Sequence, residues 1–116
     1  MTNPIPDSTA ITQRGAFFRD DNGVSVPAFK YKNITSQTTT LVKTGAGFLH
    51  SITFNKPAAT GTVKIDDAIT DTTPVVGTIT VPASPQPLTL IYDINFTVGL
   101  TIVTGTADQD ITVAYI

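Results

Sequence analysis

Leu88-Thr89-Leu90-Ile91-Tyr92-Asp93-Ile94-Asn95-Phe96 is the stretch that decides the fold class. Leu88, Leu90, Tyr92, Ile94 and Phe96 recur at every second position, the period at which a strand turns one face to a core. Thr89, Ile91, Asp93 and Asn95 take the opposite face. Just upstream, Pro82-Ala83-Ser84-Pro85-Gln86-Pro87 suits neither a helix nor a central strand, because proline clashes in the first and donates no ladder bond in the second.

The same alternation recurs on both sides of this segment. Thr38, Thr40 and Val42 alternate with Thr39, Leu41 and Lys43, and Thr44-Gly45-Ala46-Gly47 then turns the chain. Phe48, His50, Ile52 and Phe54 are expected on one face of the next strand, with Leu49, Ser51, Thr53 and Asn55 on the other. Val63 and Ile65 alternate with Thr62, Lys64 and Asp66, and Ile79 and Val81 with Thr78 and Thr80. Gly99 and Gly105 bracket Leu100 to Thr104, and Ile111, Val113 and Tyr115 close the chain. Seven or eight short strands at this spacing predict an antiparallel β-sandwich, jelly-roll-like, since one open sheet would leave an apolar face wet.

Composition agrees with an all-β reading. The 116 residues include 22 threonines, 12 isoleucines and 10 valines, side chains that pack well on a pleated surface and are stiff in a helix. Glutamate is absent, and eight prolines and eight glycines are spread along the chain. The length suits one domain. Residues 1–36 are expected to form an N-terminal arm and edge segment, and residues 37–116 the sandwich domain. Met1 to Arg14 is too polar to bury much surface, and Pro27 keeps Val24 to Tyr31 at a sheet edge or in an arm.

Several chemistries are excluded or disfavoured. With no cysteine, the chain offers no disulfide, thiolate metal site or cysteine nucleophile. A formal charge of −2 and 14% charged residues argue against nucleic acid as a partner. Asp93 and Asn95 interrupt the longest apolar run, so no membrane span is expected, and Met1 to Gly15 has no signal-peptide core. His50 is the only histidine; it could join Ser51 or Ser84 and Asp93 in a triad, but no nucleophile-elbow motif accompanies it, and a packed or hydrogen-bonded histidine is expected. Asp66, Asp67 and Asp71 form one acidic loop and Asp108 and Asp110 another; neither spacing matches an EF-hand, and solvated turn aspartates are expected. Gly45-Ala46-Gly47 lacks the lysine and helix of a phosphate loop, and the Asn33-Ile34-Thr35 and Asn95-Phe96-Thr97 acceptor patterns arise readily in a threonine-rich chain. No enzyme activity, metal or cofactor is expected.

Charge is distributed unevenly. Arg14, Arg19, Lys30, Lys32, Lys43, Lys56 and Lys64 all fall in the first 64 residues, where three aspartates oppose seven cations; the last 52 residues hold six aspartates and no cation. Such asymmetry can steer contacts between neighbouring copies. Arg14, Phe17, Phe18, Arg19, Lys30, Tyr31 and Lys32 are the candidate partner-binding residues.

The order of motifs resembles that of small β-sandwich virion proteins of tailed bacteriophages. The resemblance covers roughly residues 24 to 116. It rests on Val26-Pro27-Ala28-Phe29 leading to Tyr31, Thr39-Thr40-Leu41-Val42-Lys43-Thr44-Gly45-Ala46-Gly47, Leu49-His50-Ser51-Ile52, Gly99-Leu100-Thr101-Ile102-Val103-Thr104-Gly105 and Asp110-Ile111-Thr112-Val113. It implies a structural protein of the virion, assembled in the bacterial host cytoplasm, with the capsid decoration (cement) proteins as the nearest type. The implied partners are the major capsid protein or other virion proteins, and by analogy a homo-oligomer, preferably a trimer. A tail or fibre component, or a carbohydrate-binding module that attaches to a host, is the alternative; Tyr31 is the exposed aromatic available to it.

Overall fold

The structure is a computed structural model that describes residues 17–19 and 25–116. Its strands are β1 (Phe17–Arg19), β2 (Ser25–Pro27), β3 (Lys30–Ile34), β4 (Thr38–Thr44), β5 (Gly47–Lys56), β6 (Thr62–Asp66), β7 (Val75–Thr80), β8 (Leu88–Phe96), β9 (Gly99–Gly105) and β10 (Asp110–Tyr115). There is no helix among the described residues. β1 and β2 pair with each other, and the other eight strands form two four-stranded sheets ordered β3-β10-β5-β8 and β4-β9-β6-β7.

Every pairing is antiparallel, and the pairing is nested: β3 with β10, β4 with β9, β5 with β8, β6 with β7. The chain is a long hairpin of four strand pairs rolled up so that successive pairs fall in alternate sheets. The pairings of β10 with β5 and β6 with β9 seal each sheet. The two-layer antiparallel sandwich is what the sequence predicts, and the nested order, which the sequence left open, makes it a jelly roll. Edge strand β3 brings Lys30 to Ile34 into the sandwich ahead of residue 37, and the expected arm at Met1 to Arg14 lies outside the described residues.

The core lies between the sheets. Leu49, Ile52, Phe54, Phe96, Ile111 and Val113 from the first sheet face Val63, Ile65, Leu100 and Ile102 from the second. Each such side chain contributes about 1.5–3 kcal/mol by leaving water. Tyr92 and Tyr115 pack against this core, as their phase predicts.

One expected face is corrected. β5 does not keep Phe48, His50, Ile52 and Phe54 on one side: Leu49 is buried with Ile52 and Phe54, and His50 is not. The register shifts at His50 against both neighbours, so an extra residue in the ladder reverses the phase. Opposite it on β8, Tyr92 and Asp93 stand where one residue would, and Asp93 takes a positive φ of 50°. A strand with a bulge has two phases, and a single period-two reading assigns one half of it to the wrong face.

Candidate functional site

The predicted partner-binding residues separate. Arg14 lies outside the described residues, and Phe17, Phe18 and Arg19 form β1. Lys30, Tyr31 and Lys32 are exposed on β3. Tyr31 pairs with Ala114, whereas Lys30 and Lys32 pair with Tyr115 and Val113, so the aromatic ring and the two cations project on opposite sides of the strand.

The bulge displays His50 on the outer face of the first sheet. Its Nδ1 lies 2.6 Å from Asp93 Oδ1, and its ring stacks on Phe29 with centroids 4.4 Å apart. The hydrogen-bonded histidine expected from the sequence is what the fold builds. Among the described residues no serine hydroxyl hydrogen-bonds to His50, so the pair lacks the nucleophile contact of a triad.

Lower on the same face, polar side chains pair across the strands. Asn33 Nδ2 donates to Asp110 Oδ1 at 2.8 Å, Asn55 Nδ2 donates to Thr112 Oγ1 at 2.9 Å, and the hydroxyls of Thr53 and Thr89 meet at 2.9 Å. The amides of Asn33 and Asn55 hold the Asp110 carboxyl below its ordinary value of 3.8. Asp110 also borders a cleft of about 300 Å³ lined by Thr35, Lys56, Pro57, Ala58, Asp108 and Gln109, at the lower end of the usual range for ligand pockets.

The acidic loops follow the expectation in part: Asp71 and Asp108 are exposed, but the loop aspartates also tie those loops to the rest of the fold. Asp67 accepts hydrogen bonds from the backbone N–H groups of Thr97, Val98 and Gly99 and from the Thr97 hydroxyl, and so ties the β6–β7 loop to the β8–β9 turn. Those backbone donors, that of Val98 foremost, hold its carboxyl below 3.8. Asp108 accepts from the Gln37 N–H, and Asp71 accepts from Lys64 Nζ. The Asp71 hydrogen bond is the main reason the Lys64 ammonium holds its proton above 10.5. An ionised carboxylate offers about four charged acceptor sites and no donor, so aspartates in loops signal ties to clustered backbone N–H groups as well as hydration.

A depressed carboxyl pKa stabilises the fold above the unfolded value and loses that contribution as pH falls through the folded one. Asp67 and Asp110 should therefore make the melting temperature fall as pH drops below about 3.8. In Asp67→Asn that fall should be shallower, and an unchanged acid limb would contradict the assignment.

Asp66 differs from the other aspartates. It is 0% exposed on the outer face of the second sheet, and neither carboxylate oxygen has a hydrogen-bond partner; Lys64 Nζ stands 3.5 Å from Oδ2. An incompletely paired buried charge costs stability. Asp66→Asn should raise the unfolding free energy by about 1 kcal/mol, as read by urea titration, because Lys64 keeps Asp71. A loss of stability would mean that the Lys64 contact outweighs desolvation.

Exposed apolar side chains gather around this loop. Leu41, Thr101, Asp66 and Val75 lie in register across β4, β9, β6 and β7, with Leu41 and Val75 exposed at the two ends. Exposed Ile69 approaches Gly99, and exposed Val98 stands in the turn that Asp67 holds. A separate apolar groove of about 170 Å³, lined by Phe54, Ile79, Pro82, Pro85, Leu88 and Leu90 among others, opens between the sheets beside the proline loop. Among the described residues no group of three or more His, Cys, Asp or Glu is placed to hold a metal ion, and no helix is long and apolar enough to cross a membrane.

By architecture the chain is an all-β jelly roll. No family model, curated protein or solved structure matches it.

Proposed function

We propose that the chain is a structural protein of a tailed-phage virion, a capsid decoration protein that binds the assembled head and stabilises it. The observation that carries this reading is the exposed apolar group Leu41, Ile69, Val75 and Val98 on the outer side of the second sheet. Leu41 and Val75 stand on the two edge strands of that sheet with Ile69 and Val98 in loops beside it, and several exposed apolar residues on one side mark a surface where proteins meet. The jelly roll is a recurrent virion architecture, and the motif order described above resembles small phage virion proteins. Lys30 and Lys32, which make no ion pair among the described residues, add a basic edge to a chain whose C-terminal half is acidic. The partner is the major capsid protein, and the attached species is a homo-oligomer, preferably a trimer.

The test is to mix the purified chain with undecorated phage heads and sediment them. Co-sedimentation at a stoichiometry set by the capsid lattice is expected, reduced about tenfold in a Leu41→Asp/Val75→Asp double variant that stays folded. Raising salt to roughly 0.5 M should weaken attachment, because screening then shortens to a few ångströms. Deleting residues 1–16 should leave the melting temperature unchanged and weaken attachment. Failure to bind heads, together with binding to isolated tails, would overturn the decoration reading in favour of a tail or fibre component.

A further inference from the structure

The outer face of the first sheet takes no part in that contact, and its chemistry differs. Tyr31, Ala114, Ser51 and Ile91 lie in register on β3, β10, β5 and β8. The residues on the two edge strands are large and 74% and 59% exposed, while Ser51 between them is 6% exposed. With strands spaced about 4.8 Å apart, Tyr31 and Ile91 stand roughly 14 Å from each other across a shallow trough floored by small side chains. The next outward row, Asn33, Thr112, Thr53 and Thr89, continues that floor in amides and hydroxyls. Along β10, Ala114 to Asp110 adds about 14 Å of length at roughly 3.4 Å per residue, and the trough ends at the cleft beside Asp110.

We propose that this trough binds a neutral polysaccharide, Tyr31 stacking on the C–H face of one sugar ring while Asn33, Asn55 and Asp110 pair with hydroxyls of the units beyond it. An exposed tyrosine ring supplies a flat apolar surface with a polar rim, which matches a pyranose. Each sugar hydroxyl both donates and accepts, so recognition needs donors and acceptors fixed side by side. Both protons of each amide are engaged within the protein, on Asp110 and on the Ile111 carbonyl or the Thr112 hydroxyl oxygen, so Asn33 Oδ1, Asn55 Oδ1 and Asp110 stand as fixed acceptors and the Thr112 hydroxyl beside them is the donor. Electrostatics select a neutral chain. Lys30 and Lys32 project on the far side of β3, Asp93 is paired with His50, and among the described residues Lys56 is the one cation at the border, beside Asp110. A polyanion would find little positive charge here beyond Lys56, and along the row Asn33, Thr112, Thr53 and Thr89 a protein partner would meet amides and hydroxyls where interface cores are apolar.

This inference concerns the outer face of the first sheet, whereas the decoration reading concerns the second sheet and the basic edge made by Lys30 and Lys32 on the other side of β3, so each can fail alone. The test applies labelled full-length protein to an array of neutral, sialylated and sulfated glycans and follows dextran, mannan and cellohexaose titrations by amide NMR. The expected result is binding to a neutral polymer, with shift changes at Tyr31, Asn33, Thr53, Asn55 and Thr112. Tyr31→Ala should weaken it about tenfold at an unchanged melting temperature, Asn55→Ala should also weaken it, and Tyr31→Phe should retain it. Absence of binding to every neutral glycan, binding confined to charged glycans, undiminished binding by Tyr31→Ala, or shifts centred on Leu41 and Val75 would each overturn the proposal.

Discussion

Phe96→Ala should lower the unfolding free energy by about 4 kcal/mol, the upper part of the range for emptying a filled aromatic site. Phe96 is 1% exposed at the end of β8 and pairs with Gly47 at the start of β5. A Cβ at Gly47 would sit 2.5 Å from the Phe96 Cζ, so the absence of a side chain on β5 is what admits the ring. The same corner carries the last ladder bonds of the first sheet, in which Phe48 and Ile116 exchange both backbone hydrogen bonds at 3.1 and 2.9 Å. Truncating the ring leaves a void that glycine cannot fill, because close-packed neighbours relax only partly. For a domain of this size the loss corresponds to a fall of about 15 °C in melting temperature, readable by calorimetry. The converse variant, Gly47→Val, adds apolar surface and should still destabilise, since it must displace the ring or the Ile116 carbonyl. Tolerance of Gly47→Val would refute this account of the corner.

Gln109→Ala should cost about 3 kcal/mol, through unpaired polar groups more than through lost volume. Gln109 is 1% exposed and clamps one residue of the β5–β6 turn: its Oε1 accepts from the Ala58 N–H at 2.8 Å and its Nε2 donates to the Ala58 carbonyl at 2.9 Å. Gly61 lacks a side chain where a Cβ would collide with that same amide. The two turns so joined each hold a threonine in the left-handed region, Thr60 at φ 61° and Thr106 at φ 70°. That conformation costs a β-branched residue roughly 1–2 kcal/mol and persists where its surroundings over-determine it. Removing the clamp leaves Ala58 without its side-chain partner and frees both turns to relax. Urea titration should read the loss. Gln109→Glu should recover part of it on acidification, because only the protonated carboxyl donates to the Ala58 carbonyl. A fully stable Gln109→Ala protein would place the joining of the turns elsewhere.

The candidate sites were legible in the sequence to very different degrees. Tyr31 could be singled out, because an aromatic residue between two lysines on a short edge strand has little chance of burial. Asp67 and Asp110 could be seen as loop acids, but their partners, the 97–99 turn and two asparagines on different strands, are remote in sequence. Gln109 gave no signal beyond its type. A glutamine in a polar turn reads as exposed, and only the arrival of the β5–β6 turn buries it. The patch of Leu41, Ile69, Val75 and Val98 was equally invisible, since each residue alternates or sits in a loop without any local mark that its neighbours are apolar too.

Local sequence by itself determined that this chain is a β protein with strands near residues 38–43, 48–55, 62–66, 78–81, 88–96, 100–104 and 111–115. β-Branched residues at period two, with glycine and proline between the runs, leave a chain little alternative. Tertiary structure alone decided the nesting of strand pairs, the reversal of faces at His50, and the gathering of Asn33, Asn55 and Asp110 at one end of a sheet. The physical reason is range. Alternation and turn chemistry act over a few residues, whereas the bulge, the buried acid at Asp66 and the polar trough arise from pairings between segments tens of residues apart, which no local pattern encodes.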